Sequence, residues 1–156
     1  MAFGEGLPQG ALLDEVDLKV IQLLAQDARQ SYADLGKALN LSAPAVHARV
    51  KKLEKIGVIK NYTIQVDYAK AGYPLISFVR LRLGSRRCAD VARVLKSYPE
   101  VLECHSVAGE DCLVLKIRTQ APADLQKVLD RLRTDSLMET SITMIVMESH
   151  FERTFQ

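Results

Sequence analysis

The sequence predicts an α+β protein with two parts, an N-terminal helix-turn-helix (winged-helix-like) domain and a C-terminal ferredoxin-like βαββαβ domain. In residues 14–60 apolar residues recur at helical spacing, whereas the later patterns alternate as strand, helix, strand, strand, helix and strand. A chain of 156 residues with 48% apolar residues can form two small cores. We expect an N-terminal arm (1–12), a helix-turn-helix domain (13–61), a hinge strand with linker (62–73) and the βαββαβ domain (74–156).

Positive charge is concentrated in one segment of the chain. The net charge is only +2, yet residues 42–60 hold five Lys or Arg residues and one acid. A local basic patch on a nearly neutral protein is typical of a nucleic-acid surface, although many such patches are only solvated. No apolar run is long enough to span a membrane, and no signal peptide is evident, so a cytoplasmic location is expected. Three cysteines without close pairing indicate a reducing compartment.

Capping residues divide the N-terminal domain into three predicted helices. Ser31 is a good N-cap for the second helix, and Asn40 suits the left-handed stop that ends it. Ser42 then caps a third helix, which Gly57 ends. Two short helices joined by a turn of about three residues are the pattern of a helix-turn-helix.

The third helix has small residues at its start and basic residues along one side. A recognition helix enters the major groove by its N-terminal end, so small residues there can approach base edges while basic residues meet phosphates. We expect the segment 42–47 to face bases, and Arg49 and Lys52 to contact phosphates. An ordinary capped surface helix would look similar, but the preceding helix and turn favour DNA binding. The candidate contacts are Ser42, Ala43, Pro44, Ala45, His47, Ala48, Arg49, Lys51 and Lys52.

The sheet of the C-terminal domain is predicted to have one covered face and one open apolar face. The helices can cover the face that carries Val79, Leu81, Leu83, Leu113, Leu115 and Ile117. The opposite face is predicted to hold Phe78, Cys104, Ala108, Cys112 and Val114 among scattered charges. Because that face is too apolar for free water, we expect a second copy of the chain to cover it.

The turn Val107-Ala108-Gly109-Glu110-Asp111 combines backbone N–H groups with two carboxylates. Such a turn could hold a zwitterion, although its residues alone favour a plain hairpin turn. Cys104 and His105 point to opposite sides of a strand, so a shared metal ion is not expected. The sequence shows no catalytic constellation and no phosphate-cradling glycine loop, so we predict no catalytic residue, no metal and no cofactor.

Residues 13–67 closely resemble the N-terminal half of the leucine-responsive regulatory protein (Lrp/AsnC, feast/famine) family. The segment "VAGEDCLVLKI" resembles the glycine–acid turn and following strand of the family's effector domain, and "TSITMIVM" resembles its closing strand. Cys112 stands where the family commonly has an aromatic residue. The matching positions of the first half are Leu13, Asp14, Asp17, Asp27, Ala28, Arg29, Leu35, Leu41, Ser42, Arg49, Leu53, Glu54, Gly57, Ile59 and Tyr62.

The resemblance implies a bacterial or archaeal transcription regulator that binds double-stranded DNA. It implies homodimers that pair through their C-terminal domains, often four dimers in an octamer, with a small amino-acid effector bound between dimers near the turn. It therefore favours the binding interpretation of that turn. The DNA contacts carried over are Ser42, Pro44, His47, Arg49 and Lys52. The expected effector contacts are Val107, Ala108, Gly109, Glu110, Asp111, Ser141 and Thr143.

Two alternatives stay open. Some haem-biosynthetic decarboxylases resemble this family in fold but have a degenerate helix-turn-helix, whereas the one in this chain is intact and basic. The other alternative is an amino-acid sensor that does not bind DNA.

Overall fold

The computed structural model describes residues 13–153. These residues form two compact units, one of residues 13–65 together with 151–153, and one from Val66 to His150. The predicted N-terminal arm, residues 1–12, lies outside the described residues. Each unit has its own apolar core.

The first unit contains the three predicted helices, α1 (Glu15–Gln26), α2 (Tyr32–Leu39) and α3 (Ala43–Lys55). The side chains of Asp14, Ser31 and Ser42 each accept a backbone N–H at the start of their helix. These bonds satisfy donors that have no partner within the helix, which is why the helices begin there. The buried core consists of Val20, Leu24, Leu35, Val46, Val50 and Leu53.

A close backbone contact holds the turn between α2 and α3. Asn40 ends α2 in the left-handed conformation, at φ 55°. The N–H of Leu41 then donates to the carbonyl of Gly36 at 2.8 Å. A Cβ atom on Gly36 would lie 2.5 Å from the Leu41 carbonyl oxygen, so only glycine fits. Gly36 is therefore buried together with Leu35, whereas Ala38 on the same helix is exposed.

The segment after α3 does not form the predicted hinge strand. Gly57 leaves the helix at φ 74°, and residues 62–67 follow without a strand partner. A strand needs a neighbouring strand to satisfy its backbone groups, and no strand within residues 13–153 pairs with this segment. The expectation of a strand within residues 62–73 is therefore wrong for the single chain, and Ile64 is 80% exposed.

The second unit has the predicted βαββαβ order. Its elements are β1 (Leu75–Arg82), α4 (Cys88–Leu95), β2 (Val101–Ser106), β3 (Leu113–Thr119), α5 (Pro122–Thr134) and β4 (Thr140–Ile145). The sheet order is β2-β3-β1-β4 with antiparallel neighbours. Within residues 13–153 no helix is long and apolar enough to cross a bilayer.

One face of the sheet forms the core of the second unit, as predicted. The strand residues Val79, Leu81, Leu83, Leu113, Leu115 and Ile117 are buried there against α4 and α5. The helices contribute Val91, Leu95, Leu125, Val128, Leu129 and Leu132. Both helices therefore cover the same face, and the other face stays open.

The open face differs in composition from the prediction. Cys104 pairs with Leu115 and packs against the core, because a register shift between Val101 and Glu103 changes the alternation of β2. Cys112 also packs against the core cluster, and Ala108 lies in the β2–β3 connection. Those three residues were placed on the open face wrongly. The open face does carry Phe78 and Val114, which pair with Lys116 and Arg80, and it also carries Ile142 and Met144 from β4.

Candidate functional site

The first turn of α3 is small and lies at the surface. Ser42 and Pro44 are exposed, while Ala43 and Ala45 are half-buried. The hydroxyl oxygen of Ser42 accepts the N–H of Ala45 at 3.3 Å, so this side chain stays close to the helix end. Without bulky side chains, this end of the helix can approach a flat or grooved partner closely.

The outer side of α3 continues from that turn through His47, Ala48 and Lys51, all exposed. The inner side carries Val46, Val50 and Leu53, which are fully buried. The structure therefore brings the small start and the outward residues onto one continuous surface. We call this set, Ser42, Pro44, His47, Ala48 and Lys51, the outer face of α3.

Arg49 and Lys52 form ion pairs with α1. Arg49 Nη1 lies 2.6 Å from Asp14 Oδ2 and 2.7 Å from Asp17 Oδ1. Lys52 Nζ lies 2.7 Å from the second oxygen of Asp17, whose side chain is fully buried. Both predicted phosphate contacts are thus engaged within the unit. We call Asp14, Asp17, Arg49 and Lys52 the α1–α3 ion cluster.

The ion cluster also closes the start of α1. The N–H of Asp17 donates to Asp14 Oδ1 at 2.7 Å, and the N–H of Asp14 lies 3.4 Å from Asp17 Oδ2. This reciprocal capping box fixes the orientation of both carboxylates, which also contact the cations. The acids at positions 14 and 17 therefore link the first helix to the third.

The pKa values of both acids in the cluster are lowered. Burial acts to raise the pKa of Asp17, but hydrogen bonds from Lys52 and Arg49 outweigh burial and lower it. The hydrogen bond from Arg49 is the largest cause of the lowered pKa of Asp14. The same bonds, with Asp14 first, raise the pKa of Arg49. These shifts favour the charged forms of Asp14, Asp17 and Arg49.

The outer face of α3 carries its own polar contacts. Lys51 Nζ lies 2.7 Å from Glu54, and the hydroxyl of Tyr62 donates to the same carboxylate at 3.0 Å. The rings of Tyr32 and His47 lie 5.1 Å apart at 50°. Tyr32 was not predicted as part of the site. Tyr32 is the first residue of α2, at the opposite end of that helix from the turn, so its sequence position did not indicate its contact with α3.

The predicted turn of residues 107–111 lies in the six-residue connection between β2 and β3. The N–H of Val107 donates to the Cys112 carbonyl at 3.1 Å and closes it. Gly109 has φ 137°, a region that favours glycine. The carboxylate of Asp111 accepts a 2.5 Å hydrogen bond from Arg80 Nε, and Glu110 lies 3.7 Å from Arg82.

Ser141 and Thr143 are not brought to this turn within one chain. They pair with Leu81 and Val79 and share the helix-covered face with them. Arg80, which holds Asp111, lies between those two residues of β1 and points to the opposite face. Arg80 and Arg82 were not predicted as site residues. Their alternation with Val79 and Leu81 showed that they share a face, but it could not show which acids they meet.

Among the described residues, no group of three or more His, Cys, Asp or Glu side chains is arranged to hold a metal ion. The three cysteines are free thiols. Both candidate surfaces combine small residues with hydrogen-bonding and charged groups, which suits binding.

Comparison with known proteins agrees with this arrangement. Residues 13–54 match the AsnC-type helix-turn-helix domain, and residues 76–155 match the Lrp/AsnC ligand binding domain. The chain belongs to the Lrp/AsnC family. The predicted resemblance and the predicted fold are therefore confirmed, and the chain is a transcriptional regulator of the Lrp/AsnC type.

Relatives of this Lrp/AsnC chain cover almost its whole length. It is 33% identical over 142 residues to the HTH-type transcriptional regulator FL11 of Pyrococcus horikoshii, covering 91% of this chain and 94% of that protein. It is 32% identical over 134 residues to LrpC of Bacillus subtilis, covering 86% and 91%. The structure of AsnC from Escherichia coli superposes with a TM-score of 0.83 at 28% identity, covering 92% and 97%.

Proposed function

We propose that this chain regulates transcription by inserting the N-terminal end of α3 into the major groove of operator DNA. The observation that carries the proposal is the exposed turn at Ser42 and Pro44, continuous with the outer face of α3. A slim helix end can reach base edges, and the rest of that face meets the backbone. The expected setting is the cytoplasm of a bacterium or archaeon, with no enzymatic activity and no cofactor.

The ion cluster holds two of the four basic residues of α3 and leaves Lys51 and Lys55 outside it. Arg49 and Lys52 are held by Asp14 and Asp17, so their main role in the free protein is to fix α3 against α1. Lys51 faces outward, with its side chain 60% exposed, and pairs with the half-buried Glu54 at the surface. An exposed pair of this kind contributes little and exchanges readily for a phosphate. We therefore propose Lys51 as a phosphate contact and the segment 42–47 as the part that approaches bases.

Fluorescence anisotropy with the DNA upstream of the chain's own gene, over a series of salt concentrations, tests this proposal. Lys51→Ala should weaken binding to all sequences and lower the slope of log K against log salt by about one. Lys127→Ala is the matched control, because Lys127 also pairs with an acid three positions away, at 2.8 Å, but lies in the second unit. An unchanged slope in Lys51→Ala would contradict this docking.

The role of Arg49 is separable in the same experiment. If Arg49 only holds α3 against α1, Arg49→Ala should lower the stability of the first unit. The protein that stays folded should then show the wild-type slope of log K against log salt. If it meets a phosphate directly, the slope should fall as it does for Lys51→Ala. No detectable binding to any upstream fragment would instead support the alternative of a sensor without DNA affinity.

We also propose that a small amino acid binds at the turn of residues 107–111. The Arg80–Asp111 and Arg82–Glu110 pairs offer cations for its carboxylate and acids for its ammonium. The match to the Lrp/AsnC ligand binding domain supports a ligand there. Because Ser141 and Thr143 lie on the other face within one chain, they reach this ligand only if a second copy supplies them.

Calorimetry with all twenty amino acids tests the effector proposal. Asp111→Asn should reduce affinity at least tenfold, since a charge-assisted hydrogen bond contributes about 1.5–3 kcal/mol. Asp90→Asn is the control, because Asp90 also pairs with an arginine, at 3.5 Å, on α4. The coupling free energy between effector binding and operator DNA binding should be about 1–3 kcal/mol. It should be reciprocal, so that each ligand changes the affinity for the other by the same factor. Equal binding to wild type and Asp111→Asn would place the ligand elsewhere.

We further propose that two copies pair through the open face of the sheet, with four dimers forming an octamer. Phe78, Ile142 and Met144 leave apolar surface exposed there. Such a patch is usually covered by a partner. Sedimentation of Ile142→Glu should show smaller species than wild type, while Val94→Glu, an exposed apolar position on α4, should not. A monomeric wild-type protein at micromolar concentration would contradict the pairing.

The decarboxylase alternative is tested by the absorbance of the purified protein. A bound tetrapyrrole would give a strong visible band, and an Lrp/AsnC regulator should show none. Such a band would overturn the proposal of a non-enzymatic regulator.

A further inference from the structure

All three cysteines of the chain gather at one end of the second unit. Cys88 is the first residue of α4, Cys104 lies in β2, and Cys112 lies in the β2–β3 connection. Each is partly buried and packs against the same apolar cluster. We propose that Cys88 and Cys112 form a reversible intrachain disulfide when the protein meets a low-molecular-weight disulfide such as oxidised glutathione.

The position of the Cys88 sulfur carries this proposal. Its Sγ lies 3.7 Å from the carbonyl oxygen of Cys112. A carbonyl oxygen lies about 2.4 Å from the Cα of its own residue, so the sulfur is within roughly 6 Å of the Cys112 Cα. A disulfide holds its two Cα atoms about 4.4–6.8 Å apart. Closing the bond therefore requires rotation about χ1 of each side chain, together with any backbone movement that brings the two Cα atoms into that range.

Cys104 is the less suitable partner for Cys88. It pairs with Leu115 on the covered face of the sheet, beneath α4. Burial, and then the nearby thiol of Cys88, raise the pKa of Cys104. Because the thiolate is the nucleophile in disulfide exchange, a cysteine held as a thiol reacts slowly. Cys112 is half-buried and directly follows the exposed turn.

The chemistry is a pair of exchange steps that balances without a further oxidant. The Cys88 thiolate attacks one sulfur of the small disulfide, and one small thiol leaves, giving a mixed disulfide on Cys88. The Cys112 thiolate then attacks the Cys88 sulfur and expels the second small thiol. The two cysteines are oxidised and the reagent is reduced to two thiols. The N-terminus of α4 and the exposed cation of Arg87 favour approach of the anionic glutathione disulfide to Cys88.

The bond would act on the turn proposed to bind the effector, and this consequence rests on the proposed function. Cys112 directly follows Asp111, and its carbonyl closes the turn by accepting the Val107 N–H. A disulfide to α4 would restrict that turn and change effector affinity. Formation of the disulfide does not depend on any ligand. The proposal of the disulfide and the proposal of effector binding at the turn can therefore be tested separately.

Full-length protein incubated in glutathione redox buffers tests the proposal. Mass spectrometry of intact protein and of non-reduced peptides should show a Cys88–Cys112 cross-link, with free thiols falling from three to one per chain. Dithiothreitol should restore all three. Cys104→Ser should still form the cross-link, whereas Cys88→Ser and Cys112→Ser should give no intrachain disulfide.

Three outcomes would overturn the assignment. One is a cross-link that contains Cys104, another is a disulfide between two copies, and the third is stable mixed disulfides with no cross-link. Comparison of effector affinity in the oxidised and reduced proteins then addresses regulation alone. An effector affinity that is the same in the oxidised and reduced proteins would contradict the regulatory role. It would not contradict the formation of the disulfide.

Discussion

The buried carboxylate of Asp17 on α1 holds the guanidinium of Arg49 on α3 at 2.7 Å, across 32 positions of sequence. Its second oxygen holds Lys52 at the same distance. One acid therefore fixes the position of the third helix relative to the first.

Asp17→Asn should destabilise the first unit by about 3 kcal/mol, the size expected when one partner of a buried charged network is removed. The two cations would lose their shared acceptor while the amide stayed buried. Urea unfolding, followed by circular dichroism, measures the change. Glu15→Gln, an exposed acid on the same helix, is the control and should stay within about 0.5 kcal/mol. A similar small effect from Asp17→Asn would show that the cluster does not hold the helices.

The stability of the first unit should fall in acid, and the ion cluster should contribute to the fall. The pKa values of Asp14 and Asp17 are lowered in the folded protein from the ordinary value of 3.8. A lowered folded pKa contributes stability that is present above the unfolded value and is lost as pH falls through the folded value. Unfolding free energies measured from pH 7 down to about pH 2 should therefore fall less steeply in Asp17→Asn than in wild type. Parallel pH profiles would contradict the role of these acids.

Gly36→Ala should destabilise the first unit, although alanine normally favours a helix by about 1 kcal/mol. Its Cβ would lie 2.5 Å from the Leu41 carbonyl oxygen, and overpacking of this kind costs about 1–3 kcal/mol. We expect a net loss of about 1 kcal/mol and weaker DNA binding, because α3 must shift. Lys37→Ala, at the exposed neighbouring position, is the control. A gain in stability from Gly36→Ala would show that the turn can relax.

Tyr98→Phe should destabilise the second unit by about 2 kcal/mol, because the buried hydroxyl donates a hydrogen bond to the carboxylate of Asp135. Burial and this bond raise the pKa of Tyr98 to about 12. The contribution should therefore be complete below about pH 10 and be lost as pH rises towards 12. Thermal unfolding at several alkaline pH values measures it. Tyr68→Phe keeps the ring that faces Arg118 and serves as the control.

Local pattern was enough to predict most of the fold. The caps at Ser31 and Ser42 and the stop at Asn40 are short-range chemistry, so they define the helices from sequence. Alternation in β1 identified the covered face through Val79 and Leu81. The alternation of side chains gave the wrong face for Cys104 in β2. A register shift after Val101 changes the face that Cys104 occupies, and the local sequence pattern does not indicate this shift.

The candidate site was predicted less completely, because its contacts join distant parts of the chain. The positions of Ser42 and Pro44 followed from the helix start alone. The partners of Arg49 lie 32 and 35 positions away, and the partner of Arg80 lies 31 positions away. Charge counting therefore assigned Arg49 and Lys52 to phosphates, whereas the structure shows that acids of α1 hold them. Ion pairs between residues that are far apart in the sequence depend on the tertiary fold.

Internal neutralisation of Arg49 and Lys52 has a consequence for how the regulator finds its operators in a genome. Sequence-independent affinity for the chromosome grows with the number of phosphates that cations can neutralise. With two cations of α3 already paired to α1, each protomer has fewer left for bulk DNA. We expect a regulator that is only weakly sequestered by the large excess of non-operator sites and whose occupancy depends on base contacts at the first turn of α3.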